Sequence, residues 1–487
     1  MNNNKINFTK KSISLLRTQY WLFTKQKSNF LLLLVFLAAG FYGLYQGYAF
    51  KQKQTSTINT FKGDKIKNFA VLVKGFDADT SKPAGMAAYE KVSGLLSSNW
   101  YTILPAYKMP NSTAIFAIGQ GDIFPYYYTV KLESFFMQVF KQGEISNPLR
   151  SLAGHFDTSF WVIFLLPLLI ILFCFNTLSA ELDNGNWRLI NSQGIAAKKW
   201  LGTKYLVVAI SIEILLTAIC LAGVLVNYFY FKQQPSITDL LFFVGANLYL
   251  LLWLAILFFI NSLQKNTSYN ALCSGMVWTM VCIVLPTLTT MFIEKTIVVD
   301  NTKISRMSRR PQGSKFDDTT FGRKIIEQYA ISRPQYKNNI LTPANPAFSF
   351  AVYSTFHALM DDSNAVTVSK YFNAIERRQQ YLNLSTLINP AAALDGNIDR
   401  LAENDAFANH HFIWQTKAFH TKLHHAYFPA LFFDGQLTKK RYAEFPVFKT
   451  ENTAGGISIN IVFNFLLLSF VSAMLVFLGG KNLERLK

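Results

Sequence analysis

Two groups of residues in this chain have types and spacings that could do chemistry. The first is histidine, at His155, His357, His410, His411, His420, His424 and His425. His420 and His424 stand four apart in a stretch with helical patterning, so they share one helix face and could offer two imidazoles to a copper or zinc ion. No cysteine or well-placed carboxylate completes a ligand set, and the polar face of an ordinary helix is the simpler reading. The second group runs from Ser179 through Glu181, Asp183, Gly185, Trp187, Arg188, Ser192 and Gln193 to Gly194, with Lys198, Lys199 and Lys204 beyond. Acids before a glycine turn and a short polar helix after it would present a rigid charged knob on which a partner could push. A plain solvated turn fits the same spacing.

Other catalytic patterns are missing. The sequence has no H-E-x-x-H, G-x-S-x-G or C-x-x-C, and no G-x-x-x-x-G-K-[ST] loop to cradle phosphates. Its one Gly-rich candidate, Gly119-Gln120-Gly121, lacks the lysine. The chain is expected to be no enzyme and to hold no cofactor of its own.

What must position these residues is a membrane bundle. Of 487 residues 51% are hydrophobic, with 44 Phe, and they gather into long uncharged runs. A bilayer core of roughly 30 Å needs about 20 apolar residues in a helix. Six runs qualify: 30–50, 160–178 with Pro167 as an expected kink, 205–230, 240–260, 269–292 and 457–478. The first lies behind polar, basic sequence and is longer than a signal-peptide core, so it reads as a retained helix.

Orientation follows from lysine and arginine near the span ends. Residues 1–29 carry Lys5, Lys10, Lys11, Arg17, Lys25 and Lys27 without an acid, which places them in the cytoplasm, and with six spans the tail 479–487 falls there too. Within 1–29, Ile13, Leu16, Tyr20 and Phe23 recur at helical spacing, as in an amphipathic helix lying on the inner membrane surface. Lys51, Lys53, Lys62, Lys65 and Lys67 run against this orientation, but long loops translocate largely regardless of charge. The net charge of +19 is spread over juxtamembrane segments and outer regions, which suits anionic lipid headgroups and not nucleic acid. Cys174, Cys220, Cys273 and Cys282 all fall in spans, where they form no ectodomain disulfide. Glu213, inside the third span, is an intramembrane acid for which a lysine or headgroup partner and a role in transport are both open.

Two long segments lie outside the membrane on this reading. Residues 51–159 are expected to form a small α+β domain, with a strand at 69–73, a helix at 86–96 and a second apolar-faced helix or strand at 126–139. Residues 294–456 are expected to be mainly α-helical, with helices at 370–384, 399–407 and 409–426. The fold class is thus an all-α polytopic membrane protein with six transmembrane helices, a small α+β outer domain and a larger, mainly α-helical outer domain.

The segment after the second span resembles that of type-2 ABC transporter permeases, in which Ser-x-Glu-x-Glu-x-Gly-Thr precedes a leucine pair, Ser-Gln-Pro and a distal lysine. Ser179, Glu181, Asp183, Gly185, Leu189, Ser192, Gln193 and Lys204 stand in matching places, with departures at Asp183, Asn186, Ile190 and Gly194. Residues 119–128 (GQGDIFPYYY), Asn147-Pro148-Leu149 with Gly154, Phe156-Asp157 and Phe160, and Asn389-Pro390-Ala391 are similar to a branch with two large outer insertions, some of whose members serve maturation of multicopper enzymes. The resemblance implies an exporter-type complex of two permeases, identical or related, in a bacterial inner membrane. A cytoplasmic ATPase dimer supplying ATP and magnesium chemistry would dock on residues 179–204, with Glu181, Asp183, Gly185, Arg188, Gln193 and Lys204 as the coupling residues. Two other functions remain open: mechanotransmission to periplasmic partners without solute transport, and a membrane-anchored metal-binding protein using the outer histidines.

Overall fold

A computed structural model describes residues 2–101, 103–141, 155–300, 302, 304, 316, 318–450 and 458–484. The segment Asn147-Pro148-Leu149, Gly154, and Arg485 and Lys487 of the tail lie outside the described residues. The protein is mostly helical, and six helices are long and apolar enough to cross a membrane: Lys27–Asp77, Thr158–Asp183, Ala197–Phe229, Ile237–Ser262, Thr267–Thr296 and Ile459–Glu484. These are called the first to sixth spans. Burial is uneven, with 50–56% of the most apolar window buried in the second to fourth spans but 11% in the fifth and 17% in the sixth. The inner three form the hub, and the outer helices leave apolar faces uncovered.

The first span is far longer than its apolar run. One helix continues from Lys27 to Val73, so the strand expected at 69–73 is instead its last turns. Nothing between Lys51 and Val73 breaks a helix: there is no proline, and a one-sided row of Lys51, Gln54 and Ile58 is buried against the rest of the protein. Lower down, Gly40, Gly43 and Gly47 form the packing face. A Cβ on Gly47 would sit 1.9 Å from the Ile115 carbonyl oxygen, an approach only glycine permits.

Pro167 takes effect as a π turn. Lacking an N–H, it leaves the Ile163 carbonyl four residues back without its helical partner, and the helix widens over Trp161–Leu165. The Tyr249 hydroxyl donates to that carbonyl at 3.2 Å. The fifth span repeats the device, with a π turn at Met280–Val284 ahead of Pro286. Glu213 of the third span accepts from Thr217 Oγ1 one turn on, at 3.1 Å.

The first insertion contains helices Pro83–Ser93 and Leu95–Tyr101 and an antiparallel pair, Leu104–Tyr107 with Tyr127–Val130, in register Leu104 to Val130. The expected element at 126–139 divides into the second strand and helix Phe135–Lys141. The second insertion is helical: Thr319–Ser332, Phe348–Ser385, Pro390–Leu401, Ala406–Pro429 and Lys439–Ala443. The helix expected over 399–407 is interrupted, because the Asp405 side chain accepts from Ala408 N and starts a new helix there. Expected helices 370–384 and 409–426 fall within longer ones.

The two insertions share one core. Leu72, Val92, Tyr128, Phe135 and Phe136 from the first pack among Ile326, Phe350, Phe412, Tyr427 and Phe428 of the second. The Tyr427 hydroxyl meets Ser98 Oγ at 2.6 Å, and Asp361 accepts from Phe135 N at 2.7 Å. A polar joint ties this unit to the bundle: Lys51, fully buried, donates to Asn227 Oδ1 at 2.7 Å, Gln233 Oε1 at 2.6 Å and the Asn111 carbonyl at 2.8 Å. Lys51 is therefore a structural pin and no free charge at a membrane surface.

Candidate functional site

Opposite the insertions, segment 179–204 meets the N-terminal helix Asn2–Lys25 around a cavity of about 670 Å³. Polar groups face it from three sides: Gln19, Gln26 and Asn29, then Asn176 and Glu181, then Gln193 and Lys204. In the N-terminal helix, Leu16 is half-buried and the Phe23 ring packs edge-on to Phe173 at 5.2 Å, while Tyr20 is exposed. The side chain of Ile13 lies outside the described residues.

The segment takes in the last residues of the second span, Ser179–Asp183. The main helix of that span ends at Cys174, and Asn261 of the fourth span satisfies the groups freed there. Asn261 Nδ2 donates to the Cys174 carbonyl at 2.9 Å and to the Tyr205 hydroxyl at 3.0 Å, and its Oδ1 accepts from Leu178 N at 3.1 Å. A short helix, Ser179–Asp183, follows, then Gly185 with φ +74°, then helix Trp187–Ser192. Gly194 has φ +71°, left-handed backbone that a proline, with φ near −65°, cannot adopt. That accounts for glycine where the resembled pattern carries proline.

The expected coupling residues separate into two kinds. Glu181 Oε1 and Lys204 Nζ pair at 3.2 Å, each about a quarter exposed, a contact of about 1 kcal/mol after solvent screening. Asp183 Oδ2 accepts from Thr267 N at 3.1 Å and Thr267 Oγ1 at 2.8 Å, at the start of the fifth span. Both acids thus brace the base of the segment, and Asp183 stays exposed as it does so. The open surface belongs to Arg188, Leu189 and Gln193, with Leu189 68% exposed. Beneath them Trp187 is buried, its ring 5.8 Å from that of Trp200, over which Lys204 Nζ lies at 4.1 Å. Thr267, Asn261 and Trp200 escaped the sequence reading, because their roles depend on which spans are neighbours.

The histidines form a different arrangement. His420 and His424 do share a face, ring centroids 4.3 Å apart, but His420 Nε2 hydrogen-bonds the Glu133 carbonyl at 2.9 Å. Burial pushes His420 down to about 4 and His424 well below the ordinary imidazole range, so both rings are neutral at pH 7. Among the described residues no group of three or more His, Cys, Asp or Glu could hold a metal ion. His420 and His424 are two packed, neutral rings.

A family profile described as a domain of unknown function (DUF3526) matches residues 312–451, most of the second insertion. No curated protein and no solved structure matches the chain.

Proposed function

We propose that this chain is the membrane-spanning permease subunit of an ATP-driven, exporter-type complex in a bacterial inner membrane, with both termini in the cytoplasm. The chain itself is not an enzyme. A separate cytoplasmic ATPase dimer carries ATP and magnesium and docks on segment 179–204, and a second permease, identical or related, completes the assembly among membrane lipids. The observation that carries this reading is the mounting of helix Trp187–Ser192. Its outward residues Arg188 and Leu189 are open, while its base is tied to the third span through Trp187 against Trp200 and Glu181 with Lys204, and to the fifth through Asp183 with Thr267. A displacement applied at Leu189 therefore reaches the second, third and fifth spans together, as coupling to a two-state nucleotide cycle requires. The bare faces of the fifth and sixth spans leave room for lipid and for the second subunit.

The test is affinity purification of the tagged full-length chain in mild detergent, with mass spectrometry of what accompanies it. A stoichiometric ATPase is expected with the parent and is expected to be lost with Leu189→Asp, an exposed site whose change leaves the fold intact. No ATPase with the parent, or equal amounts with both, would refute docking at this segment.

One observation favours mechanotransmission as a second reading. The 47-residue helix Lys27–Val73 is about 70 Å long, more than twice the roughly 30 Å hydrocarbon thickness, and runs without a break into the insertion core. Such a rod can carry movement to a periplasmic partner without passing solute.

A further inference from the structure

The second insertion does not stay clear of the spans. Its longest helix, Phe348–Ser385, comes down beside the insertion-side end of the fifth span, where Arg378 Nε donates to the carbonyl of Ile297, the residue that closes that span, at 2.8 Å. About 12 Å further along the chain's descent, Thr386 Oγ1 meets Asn464 Oδ1 of the sixth span at 3.1 Å. Leu382, Asn383 and Thr386 wall the same cavity as Thr289 and Thr290, which lie about 10 to 12 Å down the fifth span from Ile297.

The sixth span sets the depth. Its apolar stretch from Ile459 to Phe477 is about 28 Å long, just enough for a hydrocarbon core of roughly 30 Å, so Ile459 stands at the boundary and Asn464 about 8 Å inside it. Helix Pro390–Leu401 continues at this level. Its Leu394 and Ile398 share a core with Trp161 of the second span and Tyr249 of the fourth, and Asn397 Oδ1 accepts from Asn464 Nδ2 at 3.0 Å.

The side chains suit that place. From Gln379 through Leu394 the sequence has no Asp, Glu, Lys or Arg. Down one exposed face come Arg377, then Tyr381 at 43% exposed, Leu384 at 60%, and at the turn Leu387 at 48% and Ile388 at 77%. A guanidinium, then a phenol, then three aliphatic chains follow the order of a bilayer interface from headgroup to acyl chain.

The backbone of the turn is prepared for the loss of water. Leu387 N bonds the Leu384 carbonyl at 3.2 Å, and Ile388 N and Asn389 N both bond that of Ser385 at 3.1 Å. The Asn389 side chain accepts from Ala391 N at 3.0 Å and Ala392 N at 3.4 Å, and Pro390 between them has no N–H to satisfy. The hydroxyls of Ser385 and Thr386 donate to the carbonyls of Leu382 and Asn383 at 2.7 and 2.6 Å. Thr386 and Asn389 are buried against protein. An irregular turn enters hydrocarbon only when its polar groups are satisfied within the protein, and a turn in water has no such need.

We propose that turn 384–388 and the helix end above it form an interfacial anchor, with Leu384, Leu387 and Ile388 among the acyl chains of the leaflet on the insertion side and Arg377 at its headgroup phosphates. Lipid is the occupant because the exposed face is layered as a leaflet is, and because the neighbouring spans are bare at similar depth, with Met291, Phe292 and Phe463 exposed. The anchor ties the long helix of the insertion unit to the bilayer itself. It goes beyond the docking of an ATPase, and its test needs none.

The experiment places a nitroxide at Ile388→Cys or at Ile331→Cys in the full-length chain, reconstituted in vesicles of phosphatidylcholine and phosphatidylglycerol. Ile331 is the water-side control: it is 78% exposed, and nearby Arg333 pairs with Asp362, about 24 Å up the long helix from Arg378. Relaxation by dissolved oxygen, which concentrates in hydrocarbon, is compared with relaxation by chromium oxalate, an anion confined to water. The oxygen-to-oxalate ratio at position 388 is expected to exceed that at 331 by at least about ten-fold, since excluding an ion from hydrocarbon is worth more than the ~1.4 kcal/mol that a factor of ten represents. The unsubstituted chain, labelled in parallel, gives the background of the native cysteines, three of which are buried. Leu384→Cys, on the same face, is read in the same way, and thermal midpoints matching the parent's certify the fold. Equal ratios at 388 and 331 would put the turn in water and overturn the proposal. Weak relaxation by both reagents, or dipolar broadening between labels on two chains, would put protein on this face and overturn the lipid assignment.

Discussion

Asp361 offers a quantitative test of the claim that the two insertions are one folded unit. It sits on helix Phe348–Ser385 of the second insertion and accepts from Ser134 Oγ at 2.5 Å, Phe135 N at 2.7 Å and Phe136 N at 3.3 Å, all in the first. Burial raises its carboxyl to about 6 despite these donors and nearby Lys417, against about 3.9 in an unfolded chain. The sign follows directly. Between those values the folded chain holds a proton that the unfolded chain has released, so the contribution of this group to stability is fully present below pH ~4 and is lost as pH rises through ~6. The gap corresponds to about 3 kcal/mol at most. Asp361→Asn keeps an acceptor oxygen without the charge, and its stability relative to the parent should improve by about 1.4 kcal/mol between pH 5 and pH 8, the first half of the gap having been lost already below pH 5. Asp361→Ala leaves the amides of buried Phe135 and Phe136 without their acceptor and should lie about 2 kcal/mol below Asp361→Asn at either pH. At roughly 2 to 4 °C per kcal/mol for a unit of this size, thermal midpoints in detergent resolve both effects. A gap between parent and Asp361→Asn that is the same at both pH values would refute the burial argument. An Asp361→Ala variant as stable as Asp361→Asn would refute the bridge between insertions.

Two further outcomes follow from the same geometry. Lys51→Met strands the acceptors of Asn227, Gln233 and Asn111 and should cost about 2 to 4 kcal/mol, read as a lower midpoint and as new protease cleavage near residues 227–233; an unchanged midpoint would mean that the joint is dispensable. With His420 Nε2 committed to the Glu133 carbonyl, the full-length chain exposed to copper or zinc and then dialysed should retain no more metal than the variant carrying His420→Ala and His424→Ala. One ion per parent chain, absent from that variant, would restore the histidine pair as a metal centre.

Much of the membrane bundle was legible in the sequence because a spanning helix satisfies its own backbone and needs only length and apolarity, both local properties. The six apolar runs, the irregularity at Pro167, the helical second insertion and the sharing of a face by His420 and His424 all follow from neighbours along the chain. What local pattern left undecided is whatever depends on contacts between distant segments. The first helix runs on to Val73 because Lys51, Gln54 and Ile58 find partners far away in the chain, and no composition rule marks where such a helix ends. The insertions merge because Tyr128 packs on Phe412 and Tyr427 on Ser98, contacts that join segments about three hundred residues apart. In segment 179–204 the residue types were legible, but their partners were not: Glu181 and Asp183 brace neighbouring spans, while Arg188 and Leu189 lie open beside Asp183. A carboxylate's partner is set by whichever helix packs beside it, as Thr267 of the fifth span does for Asp183, and only the tertiary structure decides that.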